Sequence, residues 1–146
     1  MKFFLFFIFF FYILKAYSVE LVPLKIYIEK NNIKTDQVAK YEFYVRCSSL
    51  FLYTSNLMKS PNMLDMKKNF IMLANIYLLK IKNFPDFKED AINKKNINYE
   101  FKNKIIAFIK SYEEIGNNNY VSHGEYLTNI HFDDAEVCND LAKKEF

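Results

Sequence analysis

Glycine and proline are scarce in this chain of 146 residues, which contains two Gly and three Pro. A protein made of many short strands needs both residue types at its turns, so their scarcity favours long helices joined by few loops. The only glycines are Gly116 and Gly124, which leaves no glycine-rich phosphate loop, no dinucleotide fingerprint and no Gly-x-Ser-x-Gly elbow. The commonest signatures of nucleotide-dependent enzymes and of serine hydrolases are therefore absent from the sequence.

Arginine is nearly absent as well, because Arg46 is the only one beside 19 Lys. The heavy use of Lys, Asn, Ile and Phe is typical of A+T-rich coding, so these counts carry little functional information. The formal net charge is +3, and it falls to +1 when the leader lysines Lys2 and Lys15 are removed. A nucleic-acid-binding protein needs a basic face, which is not found here, and we expect no nucleic-acid partner.

The first 18 residues match a secretory signal peptide in all three of its parts. Met1 and Lys2 form a short positive region, residues 3–14 are twelve uninterrupted apolar residues, and Ala16 and Ser18 are the small residues of a cleavage site. Twelve helical residues span about 18 Å, which is less than the roughly 30 Å of a hydrocarbon core.

We therefore expect cleavage after Ser18, a secreted or periplasmic protein, and no stable membrane span after the leader has been removed. The alternative is that the leader is retained as an uncleaved membrane anchor. The longest later apolar stretch, residues 70–79, is short for a membrane crossing and contains Asn75.

The two cysteines, Cys47 and Cys138, are 91 positions apart. An even number of cysteines in an exported chain predicts a disulfide bond between them. The alternative is a pair of buried free thiols. No Cys-x-x-Cys motif is present, so neither thioredoxin-like redox chemistry nor c-type haem attachment is indicated.

The hydrophobic pattern predicts an all-α protein, a small bundle of about four helices in residues 35–146. Residues 19–34 are expected to be an extended arm or a short strand, because Leu24, Ile26 and Ile28 alternate with Lys25 and Tyr27.

The expected helices begin and end at recognisable signals. The first runs from Thr35 or Asp36 to Lys59, and its middle, residues 43–53, is apolar almost all round, so it should be enclosed by the others. The second runs from Asn62 or Asp65 to Ile81 and also looks largely buried. The third is expected at 97–115, with Gly116 as its C-cap. A loop should follow at 117–130. The last helix is expected at 134–144, with a capping box of Asp133 and Glu136 at its start.

Arg46 is the most informative single residue, because it lies in the most apolar helix, beside Cys47. A disulfide from Cys47 to Cys138 would bring Arg46 close to the last helix, which carries Asp134, Glu136 and Asp140. We expect Arg46 to pair with one of these carboxylates and to fix the register of the two helices. The alternatives are an anchor for an anionic ligand and an exposed arginine of no consequence.

A ligand pocket is a second possibility for the aromatic core. Tyr44 lies near Arg46, and with Tyr41, Tyr53 and Tyr77 it could line a pocket in the bundle for an apolar or anionic ligand. The simpler interpretation is a packed aromatic core. Methionines at helical spacing, such as Met63, Met66 and Met72, are likewise expected to fill the core.

His123 and His131 are weak candidates for metal ligands, since they are eight residues apart and match no zinc motif. We expect no cofactor and no catalytic residue. The sequence favours an exported, non-catalytic interaction protein with an unknown protein partner. A ligand-binding protein that uses Tyr44 and Arg46 is the first alternative, and a metal-dependent or unrecognised enzyme is the second.

Overall fold

Five α-helices make up most of the part of the chain that the computed structural model describes, residues 20–84 and 91–144. No strand occurs within these ranges, so the predicted all-α bundle is confirmed, with one helix more than the expected four. The predicted signal peptide, residues 1–18, lies outside the described residues. Of the helices in the described ranges, none has both the length and the apolar content that a bilayer crossing requires.

The additional helix is α1 (Leu24–Lys30), so the strand considered for residues 19–34 is wrong. The alternating pattern was misleading because the same segment also fits helical spacing. Leu24 is buried, and Tyr27 and Ile28, three and four positions later, pack against the core, whereas Ile26 is exposed. Residues 20–23 are non-helical, as an arm would be.

The central element is α2 (Gln37–Leu57), against which α3, α4 and α5 all pack. It begins as predicted at Asp36, whose side chain accepts hydrogen bonds from the N–H groups of Val38 and Ala39 at 2.9 and 3.1 Å. Every residue from Phe43 to Phe51 is buried, which confirms that this helix is enclosed by its neighbours. At Ser49, whose hydroxyl lies 3.3 Å from the carbonyl oxygen of Ile105, α2 and α4 approach closely.

A 3₁₀ turn at Pro61–Met63 leads into α3 (Leu64–Lys82), which packs along α2 through Ala74, Tyr77 and Ile81. The Tyr77 hydroxyl also donates a hydrogen bond to the carbonyl oxygen of Cys138 in α5 (Asn129–Lys144). The expectation that this helix is largely buried is wrong, because its opposite side is exposed. Met63, Met66 and Met72, which were expected in the core, are also exposed.

The fourth helix, α4 (Ala91–His123), is longer than expected at both ends. Gly116 is not its C-cap but an internal residue, where a Cβ atom would collide with the Tyr53 hydroxyl and lie 2.5 Å from the carbonyl oxygen of Tyr126. The glycine that ends the helix is Gly124, with φ of +76° and its N–H bonded to the carbonyl oxygen of Tyr120 at 2.8 Å. The predicted loop at 117–130 is therefore reduced to residues 124–128.

The last helix, α5, begins five residues before the predicted start, so Asp133 lies inside the helix and the capping box with Glu136 is wrong. The cap is built instead from Thr128 and His131, as described below. The disulfide between Cys47 and Cys138 is confirmed, and it joins the middle of α2 to α5 across a Cα–Cα distance of 5.7 Å.

Candidate functional site

The predicted pair between Arg46 and a carboxylate of the last helix is confirmed, and the carboxylate is that of Asp134. Arg46 Nη2 lies 3.0 Å from Asp134 Oδ2, and the two side chains are 3% and 0% exposed. The disulfide lies one residue from Arg46 and four residues, about one helical turn, from Asp134. The bond and the ion pair therefore connect the same two helices at adjacent positions.

Asp134 also binds two other parts of the chain. Its Oδ1 accepts the backbone N–H of Leu24 at 2.6 Å, and its Oδ2 accepts the Tyr112 hydroxyl at 2.6 Å. One buried carboxylate thus contacts α1, α2 and α4 from its place on α5. We call the side chains of Arg46, Tyr112 and Asp134, with the backbone of Val22 and Leu24, the Asp134 cluster.

Two groups of the protein bind Nη2 of the Arg46 guanidinium, while Nε is buried without a hydrogen-bond partner. Nη2 donates a second hydrogen bond to the carbonyl oxygen of Val22 at 2.7 Å. The group also lies 5.7 Å from the ring centroids of Tyr27 and Phe108, a distance that allows cation–π attraction. A buried guanidinium paired in this way holds the N-terminal arm and the helices together, and it presents no open face to an anionic ligand.

Tyr112 of the cluster and Tyr53, whose ring stacks on it, are held in the protonated form. Burial, reinforced by the charge of Asp134, raises the pKa of Tyr112 well above its ordinary value of 10.0. Burial, with a contribution from Glu113, raises the pKa of Tyr53 to about 12. Both phenols are therefore hydrogen-bond donors at neutral pH, and neither has the depressed pKa of a catalytic base.

His131 closes the start of α5 and is a structural residue. Its Nδ1 accepts the backbone N–H of Thr128 at 3.0 Å, so Nε2 carries the proton and donates to the carbonyl oxygen of Tyr112 at 3.1 Å. His131, in the third helical position, thus binds the N–H of the cap residue as the Glu or Gln of a capping box does, while the Thr128 hydroxyl lies 2.8 Å from the same ring nitrogen. Burial lowers the pKa of His131 from 6.5, although the Tyr112 carbonyl and Asp134 act in the opposite direction.

The two histidines considered as metal ligands are in different environments. His123 is exposed at the end of α4, whereas both ring nitrogens of buried His131 are engaged by Thr128 and Tyr112. In the described ranges, no group of three or more His, Cys, Asp or Glu side chains is arranged to hold a metal ion.

Tyr44 and Arg46, the two residues considered for ligand binding, do not share a site. Tyr44 lines an open cleft of about 880 Å³ between α1, the connection that follows it, and α2. Arg46 is not among the residues that line this cleft. A ligand-binding role therefore stays a prediction for Tyr44. For Arg46, the structural role is the one that its contacts with Asp134 and Val22 support.

The sequence interpretation missed an exposed apolar surface on α3. One side of α3, which we call the outer face of α3, is formed by Leu64, Lys68, Ile71, Met72, Asn75, Leu79 and Lys82. Leu79 is 60% exposed, Met72 57% and Leu64 52%. The sequence predicts that this helix is largely buried, although Lys68, Asn75 and Lys82 on this side indicate contact with water.

Comparison with known proteins gives no match, since no protein family, no curated protein and no solved structure is similar to this chain.

Proposed function

We propose that this chain is an exported, non-catalytic interaction protein whose outer face of α3 binds an acidic, amphipathic helix of a partner protein. The observation that carries this proposal is the row of exposed apolar side chains on α3. Contiguous exposed apolar surface on a folded protein marks sites of interaction, whereas single exposed apolar residues do not. Export is supported by the predicted leader and by the disulfide, which persists in oxidising compartments.

The outer face has the dimensions of a helix-binding surface. From Leu64 to Leu79 it extends over 15 residue steps, about 22 Å of helix. Ile71 and Met72 lie between them and are 38% and 57% exposed. Covering side chains that are already half-buried would contribute about 1 kcal/mol each, which in sum suits a specific but reversible contact. Methionine adapts to different partner shapes because its side chain is unbranched.

The charge of α3 favours an acidic partner. The helix carries four lysines, Lys67, Lys68, Lys80 and Lys82, and one acid, Asp65, which gives it a net charge of +3. Lys68 and Lys82 lie within the outer face, and a partner with carboxylates at matching positions would be steered to it.

A second copy of the chain fits this face poorly. If two α3 helices paired antiparallel about Asn75, Lys68 of one copy would meet Lys82 of the other, because each lies seven residues from Asn75. A parallel pair would place each lysine opposite its own equivalent. Both arrangements put like charges across the interface, which is unfavourable. Asn75 itself, a polar group in an apolar seam, would fix the register of a partner helix.

The test begins in the cells that produce the protein. A photocrosslinking amino acid is placed at Leu79, and in a matched control at Val121, which is 87% exposed on α4. We expect a protein adduct at position 79 and none at position 121. The crosslinked partner protein is then identified and purified. Its affinity is measured for three forms of this chain: the wild type, the double variant Met72→Glu with Leu79→Glu, and the control variant Val121→Glu.

We expect the double variant to lose at least about tenfold in affinity, while Val121→Glu stays within about twofold of the wild type. Several outcomes would overturn the proposal. These are equal crosslinking at both positions, no protein adduct at position 79, an adduct that is a second copy of this chain, and partner binding that the double variant does not weaken. Retained helicity and an unchanged melting temperature of the double variant exclude unfolding as the cause.

A further inference from the structure

The cleft beside Tyr44 has features of a small-molecule site, and it is independent of the outer face of α3, none of whose residues lines it. It lies where the end of α1 and residues 31–34 pass over the first half of α2. Its volume of about 880 Å³ falls within the range of clefts that hold small ligands.

The floor of the cleft is apolar and fixed in position. Phe43 and Tyr44 form it and are 1% and 5% exposed, while Ile28, Ile33 and Leu141 contribute half-buried aliphatic walls. The rings of Phe43 and Tyr44 are held edge-on at 5.9 Å and both contact Tyr77 of α3. An aliphatic chain laid on this floor would leave water without displacing any core residue.

The rim of the cleft is cationic. Lys30, Lys34 and Lys40 line it together with a single acid, Glu29, so the lining carries a net charge of +2. Lys40 Nζ lies 5.9 Å from the centroid of the Tyr44 ring, which places one ammonium directly beside the apolar floor. The connection that carries Lys34 is ordered by hydrogen bonds, because Asn32 Oδ1 accepts the Lys34 N–H at 3.2 Å and Asn31 Nδ2 donates to the Tyr27 carbonyl at 2.9 Å.

We propose that this cleft binds an amphipathic anion, with an acidic head group at Lys34 and Lys40 and an aliphatic chain on Phe43 and Tyr44. A neutral apolar ligand would leave the lysines unused, and an inorganic anion would leave the half-buried aliphatic walls of Ile28, Ile33 and Leu141 uncovered. The combination of floor and rim selects molecules that carry both features, and a medium-chain carboxylate is the simplest of these.

The test is calorimetric titration of the mature protein with decanoate below its micelle-forming concentration. Three other compounds serve as control probes. Butyrate is a carboxylate with only a short chain, and inorganic phosphate is an anion with no chain. Decyltrimethylammonium has the same long chain as decanoate but a positive head group. We expect saturable binding of decanoate and at least about tenfold weaker binding of each of the other three. Amide resonances of Ile33 and Tyr44 should shift on addition of decanoate.

Two double variants are compared. The cleft pair combines Lys34→Gln with Lys40→Gln, and the control pair combines Lys25→Gln with Lys110→Gln outside the cleft. We expect the cleft pair to weaken decanoate binding by about tenfold or more and the control pair to change it by less than twofold. The inference is overturned if decanoate does not bind saturably, if the cationic surfactant binds as well, or if the two pairs of variants behave alike. None of these results depends on the partner proposed for α3.

Discussion

The Asp134 cluster and the outer face of α3 both depart from the usual distribution of side chains in a folded protein. The cluster buries polar groups, and the outer face exposes apolar ones. The cluster places an ion pair, a phenol and two backbone groups where the side chains are 3% exposed or less. The outer face places Leu79, Met72 and Leu64 in water at 52–60% exposure. Both arrangements cost free energy in isolation, the first by desolvation of charge and the second by hydration of apolar surface.

The two regions differ in how that cost is met. In the cluster, Asp134 has a partner for each carboxylate oxygen within the chain, and Arg46 reaches both Asp134 and Val22. On the outer face, the apolar side chains have no comparable partner among the described residues. A polar group satisfied internally holds the fold, whereas an apolar surface left uncovered suits binding. Perturbation should therefore affect stability in the first region and binding in the second.

The largest effect on stability is expected from Asp134→Ala. The change leaves the Arg46 guanidinium buried without its counter-ion and deprives the Leu24 N–H and the Tyr112 hydroxyl of their acceptor. Breaking a buried pair on one side destabilises a protein by about 3–5 kcal/mol. Urea denaturation monitored by circular dichroism measures the loss.

The double variant Arg46→Met with Asp134→Leu is the matched control for that experiment, because it removes both charges and keeps apolar volume. It should recover a substantial part of the stability lost in Asp134→Ala. If Asp134→Ala were as stable as the wild type, the cluster would not be the structural centre that its contacts indicate.

Removal of the disulfide by Cys47→Ala with Cys138→Ala should cost about 2–4 kcal/mol, since the bond closes a loop across 91 positions. The bond and the Asp134 cluster both join α2 to α5, so their effects should not add. A double-mutant cycle that combines the loss of the disulfide with Asp134→Ala should give a coupling energy of at least about 0.5 kcal/mol. Simple additivity would mean that the two connections act independently.

Gly116→Ala tests the close approach of α4 to α2. An alanine favours helix by about 1 kcal/mol over glycine, but here its methyl group would meet the Tyr53 hydroxyl. We expect a net destabilisation of about 1–3 kcal/mol, measured by thermal unfolding. In the double variant with Tyr53→Phe, which removes the obstructing hydroxyl, part of the loss should be recovered. A stabilised Gly116→Ala would show that the two helices separate without cost.

A smaller effect is expected from pH through His131. The pKa of His131 is lowered in the folded protein below the ordinary 6.5, chiefly by burial, so the unfolded chain takes up its proton first as the pH falls. The contribution of His131 to stability is full above about pH 6.5 and is lost as the pH falls below it, until the folded protein is protonated as well. The groups facing the ring are Tyr53, Tyr112, Thr128 and Asp134.

His131→Gln should flatten this pH dependence, because glutamine also fits the capping box but does not titrate. The exposed His123 provides the control, and His123→Gln should leave the profile of melting temperature against pH unchanged. Equal slopes for wild type and His131→Gln would assign the acid sensitivity to other groups.

The parts of the fold that the sequence predicted are those governed by strong local or covalent rules. The Asp36 cap, the buried α2, the disulfide and the Arg46–carboxylate pair follow from side-chain chemistry that allows few alternatives. Arg46 was informative because a single arginine among lysines in an apolar helix has few roles other than a bidentate or buried partner.

The errors arose where tertiary contacts override local preference. Gly116 lies inside a helix because Tyr53 and Tyr126 leave no room for a Cβ atom there, and the cap of the last helix uses His131 where the capping-box pattern has Glu or Gln. Segment 24–30 fits both strand and helix periods, and its first N–H, that of Leu24, finds its acceptor in Asp134, 110 positions away, which no local pattern predicts. The exposure of α3 depends on which helices cover it, and Lys68, Asn75 and Lys82 were the only local sign that one side is left in water.

The smallest expected effect on stability distinguishes the two regions most directly. Leu79→Ala on the outer face should change the free energy of unfolding by no more than about 0.5 kcal/mol, since its side chain is 60% exposed. Leu50→Ala, the same substitution at a residue of 0% exposure on α2, should cost about 2–5 kcal/mol. A loss above about 1 kcal/mol for Leu79→Ala would mean that α3 is covered on its outer side in the folded chain. The outer face would then belong to the core and would no longer be available to a partner.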